Sequence, residues 1–349
     1  MNIGINFSYK LIASRGIARF TENIISNFPK NNDNLYFFIP KGTKFNFEFL
    51  NQFKIYYIEI DCSNYFIFEH IKVPAMVKKY GIDVLINPAN TVPMIKNTKW
   101  ITVIHDVIPF KLKPKVFTKK WLVNIYMRMV MRKAIKKSSQ LITVSEYSKS
   151  DIHSLGYKHN NINVVYNGFN HTNSQEKITK VKGLPKHYVF WLGGDGYNKN
   201  MEAIVQLLKR NKCKLGFVIV GVKKQENIKL LQEIGGHVYV DVSDSELEYI
   251  YKNADIFLFP SIYEGFGIPV LEAMHYEVPF IVSSNTTSLP EVCGDACIFV
   301  DPLNIDQIEN TIIDIRDNKV KSKVKNYKKQ LTKFNWTSES KKFYKVVTE

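Results

Sequence analysis

Short apolar runs alternate with longer helical stretches along the whole chain, and that alternation predicts its architecture. The runs at 3–6, 36–39, 55–58, 84–86, 101–104, 141–144 and 163–165 are rich in Ile, Val, Leu, Tyr and Phe and read as strands. A second series follows at 188–192, 217–220, 238–240, 256–259, 280–282 and 298–300. Many of these runs are apolar at consecutive positions, which predicts strands covered on both faces and hence parallel sheets. The connections are long enough for crossover helices. A polar segment at 167–186 separates the two series. The pattern therefore predicts an α/β protein of two doubly wound, Rossmann-like domains, at 1–172 and 173–334. No fixed-period repeat, low-complexity tract or heptad seam interrupts it.

Composition adds little to that picture, and charge adds more. A chain of 349 residues can bury two cores, and 45% hydrophobic with 23% charged residues is ordinary globular usage. The N-terminal Met-Asn-Ile-Gly-Ile-Asn-Phe alternates like a first strand, so no signal peptide is expected, and no run is long and apolar enough to span a bilayer. A cytoplasmic location is the expectation. Cys62, Cys213, Cys293 and Cys297 are too scattered for a disulfide framework, and reduced, inert thiols are expected. The net charge of +16 favours phosphorylated small molecules, anionic lipid or nucleic acid as partners. It is concentrated between Asp106 and Glu146, where Lys111, Lys113, Lys115, Lys119, Lys120, Arg128, Arg132, Lys133, Lys136 and Lys137 meet no acidic residue. Trp121-Leu122, Ile125-Tyr126 and Met129-Val130 are interleaved with them. Residues 111–137 thus read either as a helix lying on an anionic membrane surface or as a solvated basic block. No nucleic-acid-binding motif is recognisable, and nucleic acid is not expected as a partner.

In open α/β sheets ligands sit beyond the carboxyl ends of the strands. Four segments there carry candidate chemistry. The first follows the strand at 256–259: Ser261-Ile262-Tyr263-Glu264-Gly265-Phe266-Gly267-Ile268-Pro269, with a helix from about Val270 that contains Glu272. Gly265 and Gly267 allow close backbone approach, and a helix start opening with Pro269 suits an anion such as a diphosphate. One carboxylate is suited to ribose hydroxyls and the other to a sugar; taken alone, the two glutamates would be solvated surface acids. The second is Gly193-Gly194-Asp195-Gly196-Tyr197-Asn198-Lys199-Asn200, where Lys199 is placed to balance charge on a leaving nucleoside diphosphate or is simply a turn lysine. It is neither a Rossmann fingerprint nor a P-loop. His105-Asp106, at the end of the strand at 101–104, is a donor to sugar hydroxyls, an acid–base pair or a hydrogen-bonded strand end. Finally, Ser14-Arg15-Gly16-Ile17-Ala18-Arg19-Phe20 leads into a helix, and Arg15 or Arg19 could pair with phosphate.

These motifs together resemble the family-4 retaining glycosyltransferases of GT-B architecture. Glu264 and Glu272, within Tyr263-Glu264-Gly265-Phe266-Gly267, match the family's paired-glutamate signature. The stretch from Ser284 to Val292, Gly294-Asp295-Ala296, Val300-Asp301-Pro302, His105-Asp106-Val107-Ile108-Pro109, Val144-Ser145-Glu146-Tyr147-Ser148 and Tyr166-Asn167-Gly168 are similar to the branch containing bacterial mannosyltransferases and other O-antigen or capsule enzymes. Phe334-Asn335-Trp336 resembles the start of a terminal helix, 335–349, that crosses back onto the N-terminal domain.

The resemblance implies two domains facing a central cleft, an acceptor-binding one at 1–172 and a nucleotide-sugar-binding one at 173–334. It implies that Glu272 binds the nucleotide ribose, and that Glu264 with Gly265, Phe266, Gly267 and Ile268 holds the donor sugar and phosphates. Lys199, in the loop with Gly193 and Asn198, would contact the diphosphate, His105 a donor hydroxyl, and the Gly16–Arg19 segment the donor phosphate or acceptor. Relatives commonly carry an Arg five residues before, or immediately before, the position of Lys199. Here Gly194 and Asn198 stand there, so either Lys199 acts alone or another basic residue supplies the second charge. The implied reaction moves a hexose, mannose or a related sugar, from a GDP- or UDP-linked donor to a polyprenyl-diphosphate-linked glycan at the inner membrane face. No metal is needed, and no Asp-x-Asp pair follows a strand. A GT-B nucleotide-sugar 2-epimerase is the alternative enzyme class, and a basic nucleic-acid-binding protein the alternative outside enzymes.

Overall fold

A computed structural model describes residues 1–12, 15–29, 31–43, 53–94, 96, 98–111, 117–157, 161–169 and 178–349. Each expected apolar run is a strand, with its ends moved by only a residue or two. The chain forms two compact units, Met1–Gly168 with Asn335–Glu349, and Phe169–Phe334.

The first unit holds β1 (Asn2–Asn6), β2 (Asn34–Pro40), β3 (Lys54–Ile60), β4 (Val84–Asn87), β5 (Lys99–Ile104), β6 (Gln140–Thr143) and β7 (Ile162–Val164). They make a seven-stranded sheet in the order β3-β2-β1-β4-β5-β6-β7, every pair parallel. All of β4 is buried, as a parallel strand covered by helices on both faces should be. At the edge the pattern changes. Tyr56 and Tyr57 of β3 are exposed but stack on β2, Tyr36 against Tyr56 with ring centroids 4.6 Å apart. The terminal helix Trp336–Thr348 packs on this unit. Asn335 caps it, its side-chain oxygen accepting the N–H groups of Thr337 and Ser338. Trp336 and Phe343 pack around Phe20, the Ser340 hydroxyl donates to the Ile24 carbonyl at 2.6 Å, and Glu339 accepts the Tyr166 N–H at 2.9 Å.

The second unit holds β8 (Tyr188–Leu192), β9 (Gly216–Val220), β10 (His237–Tyr239), β11 (Ile256–Phe259), β12 (Phe280–Ser284) and β13 (Ile298–Val300). Its six-stranded parallel sheet runs β10-β9-β8-β11-β12-β13, so the strand order reverses between β8 and β11. In the first unit the reversal falls between β1 and β4. One face of the second sheet packs Val189, Trp191, Ile219 and Leu258 against helices carrying Ile204, Leu207, Leu231 and Ile308. Cys293 and Cys297 are buried free thiols, and burial pushes the Cys297 thiol up, which disfavours its thiolate.

Candidate functional site

Reversal of strand order opens a crevice at the carboxyl ends of the two strands concerned. In the second unit those ends are Gly193–Lys199 after β8 and Pro260–Gly267 after β11, which are the two segments singled out from sequence. The loop after β8 is tight. A Cβ on Gly193 would lie 2.0 Å from the Trp191 ring, so only glycine lets the chain double back there. A short helical turn, Tyr197–Lys199, then ends at Asn200, whose left-handed backbone (φ 59°) opens the helix Met201–Arg210. The buried Asn200 side chain donates to the carbonyls of Pro260 (3.0 Å) and Pro302 (2.7 Å), tying this loop to the ends of β11 and β13. Asn198 makes a second tie: its carbonyl accepts the Ile262 N–H at 2.8 Å and its side-chain amide donates to the Tyr263 carbonyl at 3.1 Å.

Those ties carry Lys199 to Glu264. The Lys199 ammonium sits 2.7 Å from Glu264 Oε1 and 5.3 Å from the Phe259 ring centroid. Their side chains are 27% and 12% exposed, so Glu264 is not the solvated surface acid it would be taken for in isolation. The Glu264 loop is braced from below by residues that sequence reasoning did not assign. Thr287 Oγ1 accepts the Glu264 N–H at 3.3 Å, and the Ser288 hydroxyl reaches the carbonyls of Glu264 (3.0 Å) and Phe266 (2.9 Å). The Ser284 hydroxyl donates to the Ser261 carbonyl at 2.6 Å. Their signal lay in the Ser284–Ser288 motif, which was legible as a resemblance but not as a brace.

Gly267 caps the following helix with φ 110°, and a Cβ there would lie 2.6 Å from Leu289, so the position admits only glycine. The helix runs Ile268–His275, starting one residue before Pro269 rather than at it; proline remains in the first turn, where its missing N–H costs nothing. Glu272 lies a turn further in. The Tyr251 hydroxyl donates to Glu272 Oε2 at 3.1 Å from the neighbouring helix Asp244–Asn253. Tyr251 was not visible as a site residue, because only the tertiary packing of two helices brings it there.

In the first unit, His105 ends β5. Its N–H donates to Asn90 Oδ1 (2.6 Å), and Nε2 meets the Pro88 carbonyl (2.8 Å), so Nε2 carries the proton. Burial lowers the imidazole pKa to about 4, so the ring is neutral at physiological pH and is no general acid. Asp106 accepts the Ile108 N–H at 2.9 Å, capping the short helix Ile108–Lys111. Gly16 and Arg19 lie on the helix Arg15–Ser26, Gly16 exposed and with open space where a Cβ would stand, Arg19 half-buried. Ser14 and the Arg15 side chain lie outside the described residues.

The basic stretch is only partly free for a surface. Residues 112–116, including Lys113 and Lys115, and the Lys119 side chain lie outside the described residues. In the helix Lys119–Lys137, Arg128 Nε donates to the Pro109 carbonyl (2.6 Å) and Arg132 stacks on Phe110; before it, at the end of the short helix, Lys111 pairs with Asp151 at 2.6 Å. Val130, Met131, Ala134 and Ile135 face the core, whereas Leu122 (61% exposed), Ile125 (45%) and Met129 (47%) form an outward apolar face. Among the described residues, no helix is long and apolar enough to cross a membrane.

Comparison with known proteins agrees with this layout. The family model for glycosyl transferases group 1 matches residues 172–333, and that for glycosyltransferase family 4 matches residues 14–173. The chain is 30% identical to O-antigen chain mannosyltransferase B of Escherichia coli over 61% of its length and 60% of that protein's. It is 28% identical to O-antigen chain mannosyltransferase RfbU of Salmonella typhimurium over 72% of both. Among solved structures, sucrose-phosphate synthase from Thermosynechococcus elongatus superposes with a TM-score of 0.72 at 16% identity, covering 99% of this chain and 97% of that one. The lipopolysaccharide-biosynthesis glycosyltransferase WaaG superposes at 0.68 and 12% identity over all of both chains, so the fold is GT-B. With adjoining family matches across both halves and the paired glutamates seated at a sheet's switch point, the chain belongs to the family-4, group-1 glycosyltransferases.

Proposed function

We propose that the protein is a retaining hexosyltransferase that moves mannose or a related sugar from a GDP- or UDP-linked donor to a polyprenyl-diphosphate-linked glycan in surface-polysaccharide biosynthesis. The observation that carries the reading is the cluster at the β8/β11 switch point, where Lys199 meets Glu264 and Tyr251 holds Glu272. A ribose is suited to Glu272, two hydroxyls to one carboxylate. The donor sugar goes to the Glu264 loop. As the glycosidic bond breaks, negative charge grows on the diphosphate; Lys199 and the positive end of the helix Ile268–His275 stabilise it. The acceptor hydroxyl attacks on the same face, and positioning rather than an enzyme nucleophile supplies the rest of the rate. This reading requires no metal. The mannose assignment rests on the named activities of the two relatives.

The acceptor's lipid part is supported by the outward face of Leu122, Ile125 and Met129, extended by exposed Phe66 (48%), Ile67 (39%) and Ile71 (57%). The Phe66 and Tyr126 rings lie 6.1 Å apart, so the two elements adjoin. Lys120 and Lys137 lie exposed on the same helix, the combination that suits an anionic cytosolic leaflet.

The test is a thermal-shift panel of UDP, GDP, dTDP and CDP. A nucleotide at 100 times its Kd should add about 2.7 kcal/mol of stability. Glu272→Ala should abolish the shift and transfer together; a variant that keeps both refutes the site.

A further inference from the structure

The most unusual group outside the donor site is a carboxyl buried in the first unit. Glu69 is wholly inaccessible, and it is carried on a stretch of π-helix, Phe68–Lys72, a rare conformation that recurs at functional sites. Its Oε1 accepts from the Thr91 hydroxyl (2.7 Å), the Asn6 side-chain amide (3.3 Å) and the Ser8 hydroxyl (3.4 Å). Its Oε2 has no hydrogen-bond partner among the described residues; the His70 ring, engaged with the Tyr126 hydroxyl at 2.6 Å, stands 3.9 Å off. Burial raises the Glu69 pKa above the usual carboxyl range.

An apolar side chain would fill such a place at lower cost than a carboxyl with one unsatisfied oxygen. What the carboxyl gains is reach. Asn6 ends β1 and Asn87 ends β4, the two strands between which this sheet reverses its order, and the Asn6 amide also donates to Asn87 Oδ1 at 3.3 Å. Thr91, donating to Glu69, must accept from the Tyr65 hydroxyl (2.8 Å), which fixes the direction of that chain. Beside Thr91 stands Asn90, in a left-handed conformation (φ 62°), and its side chain receives the His105 N–H. Pro88, at the other end of the same turn, receives His105 Nε2. The turn 88–91 is thus gripped by Glu69 on one side and grips His105 on the other.

We propose that Glu69 is the positioning residue for His105, holding the turn 88–91 so that the imidazole keeps its Nε2–H tautomer and presents Nδ1 as an acceptor for a substrate hydroxyl. The functional consequence rests on the contact with a donor hydroxyl that the family resemblance implies for His105; the structural coupling does not. Gln keeps the length of the side chain and one accepting oxygen, whereas Ala removes the grip.

The test combines two readouts on Glu69→Gln, Glu69→Ala and Thr91→Val. The first is the 15N spectrum of the histidine side chains, assigned to His105 by its loss in His105→Gln. The second is GDP release from GDP-mannose. Glu69→Gln should leave the His105 signals in place and the rate within about threefold of the parent. Glu69→Ala should shift those signals towards mixed tautomers and slow release by ~10-fold or more, the scale on which small misplacements act. Thr91→Val removes one hydroxyl and should move the same signals, which decides the matter if Glu69→Ala does not fold. Unchanged His105 signals in folded Glu69→Ala or in Thr91→Val overturn the proposal. Absence of GDP release from the parent protein would instead exclude GDP-mannose and leave the UDP-linked donor, while the spectra still judge Glu69.

Discussion

Removing the Tyr251 hydroxyl isolates the orientation of Glu272 from its presence. The Tyr251 ring is fully buried among Phe190, Phe257 and Tyr276, so Tyr251→Phe keeps the packing and deletes only the hydroxyl, whose proton goes to Glu272 Oε2 at 3.1 Å with the Pro269 carbonyl as a longer second acceptor at 3.4 Å. A bond to a charged acceptor contributes roughly 1.5–3 kcal/mol. At 3.1 Å this one is longer than the usual O–H to carboxylate distance, and Glu272 is only half-buried, which places it at the lower end. If Glu272 binds ribose, nearly all of that loss appears as weaker nucleotide binding, because an unheld carboxylate must be ordered by the ligand. The expected change is about 1–1.4 kcal/mol, or a five- to tenfold rise in Kd for the preferred nucleoside diphosphate by titration calorimetry. The melting temperature should fall by only a few degrees. In a double-mutant cycle with Glu272→Ala, the hydroxyl should matter no further once the carboxylate is gone. Tyr251→Phe with an unchanged Kd, alongside a Glu272→Ala that does weaken binding, would refute the orienting role. A Kd unchanged from the parent in both variants would refute the ribose assignment itself.

Two further outcomes follow from other parts of the molecule. His105 has its pKa lowered to about 4 by burial, so the unfolded chain takes up a proton that the folded one refuses between that value and the ordinary value of about 6.5. Stability should therefore be complete above pH 6.5 and fall as the pH drops towards 4; His105→Gln should remove about 2 kcal/mol of the difference between pH 7 and pH 5 in denaturant unfolding, and an unaltered pH dependence would mean that the imidazole is not buried neutral. The outward apolar face should bind vesicles containing anionic lipid, and Leu122→Ser with Ile125→Ser and Met129→Ser should reduce co-sedimentation by ~10-fold or more without affecting nucleotide binding. Undiminished sedimentation by that triple variant would place any membrane contact elsewhere.

The pairing of the two units with known GT-B structures makes sense of why the strands were so readable. Parallel strands are buried on both faces, so they appear as uninterrupted apolar runs that need no knowledge of their neighbours. Loops at strand ends must carry Gly, Pro and polar residues whatever surrounds them, and so the segments after β8 and β11 stood out as well. The Glu264–Glu272 spacing was legible for the same reason, since strand, loop and helix start are all local.

What the sequence by itself determined was therefore the alternation of elements, their division into two series and the loops that bear chemistry. Tertiary structure alone decided which side chains meet. Lys199 reaches Glu264 across 65 positions, and Tyr251 reaches Glu272 from a different helix. Asn6, Glu69, Asn87 and Thr91 converge only because β1 and β4 are neighbours in the sheet. The basic stretch shows the same limit: its charges were plain, but whether Arg128 faces lipid or the Pro109 carbonyl depended on packing. Periodicity records which face of an element is buried. It holds no record of the partner across the fold, and hydrogen bonds between distant residues are fixed only once the sheet order is.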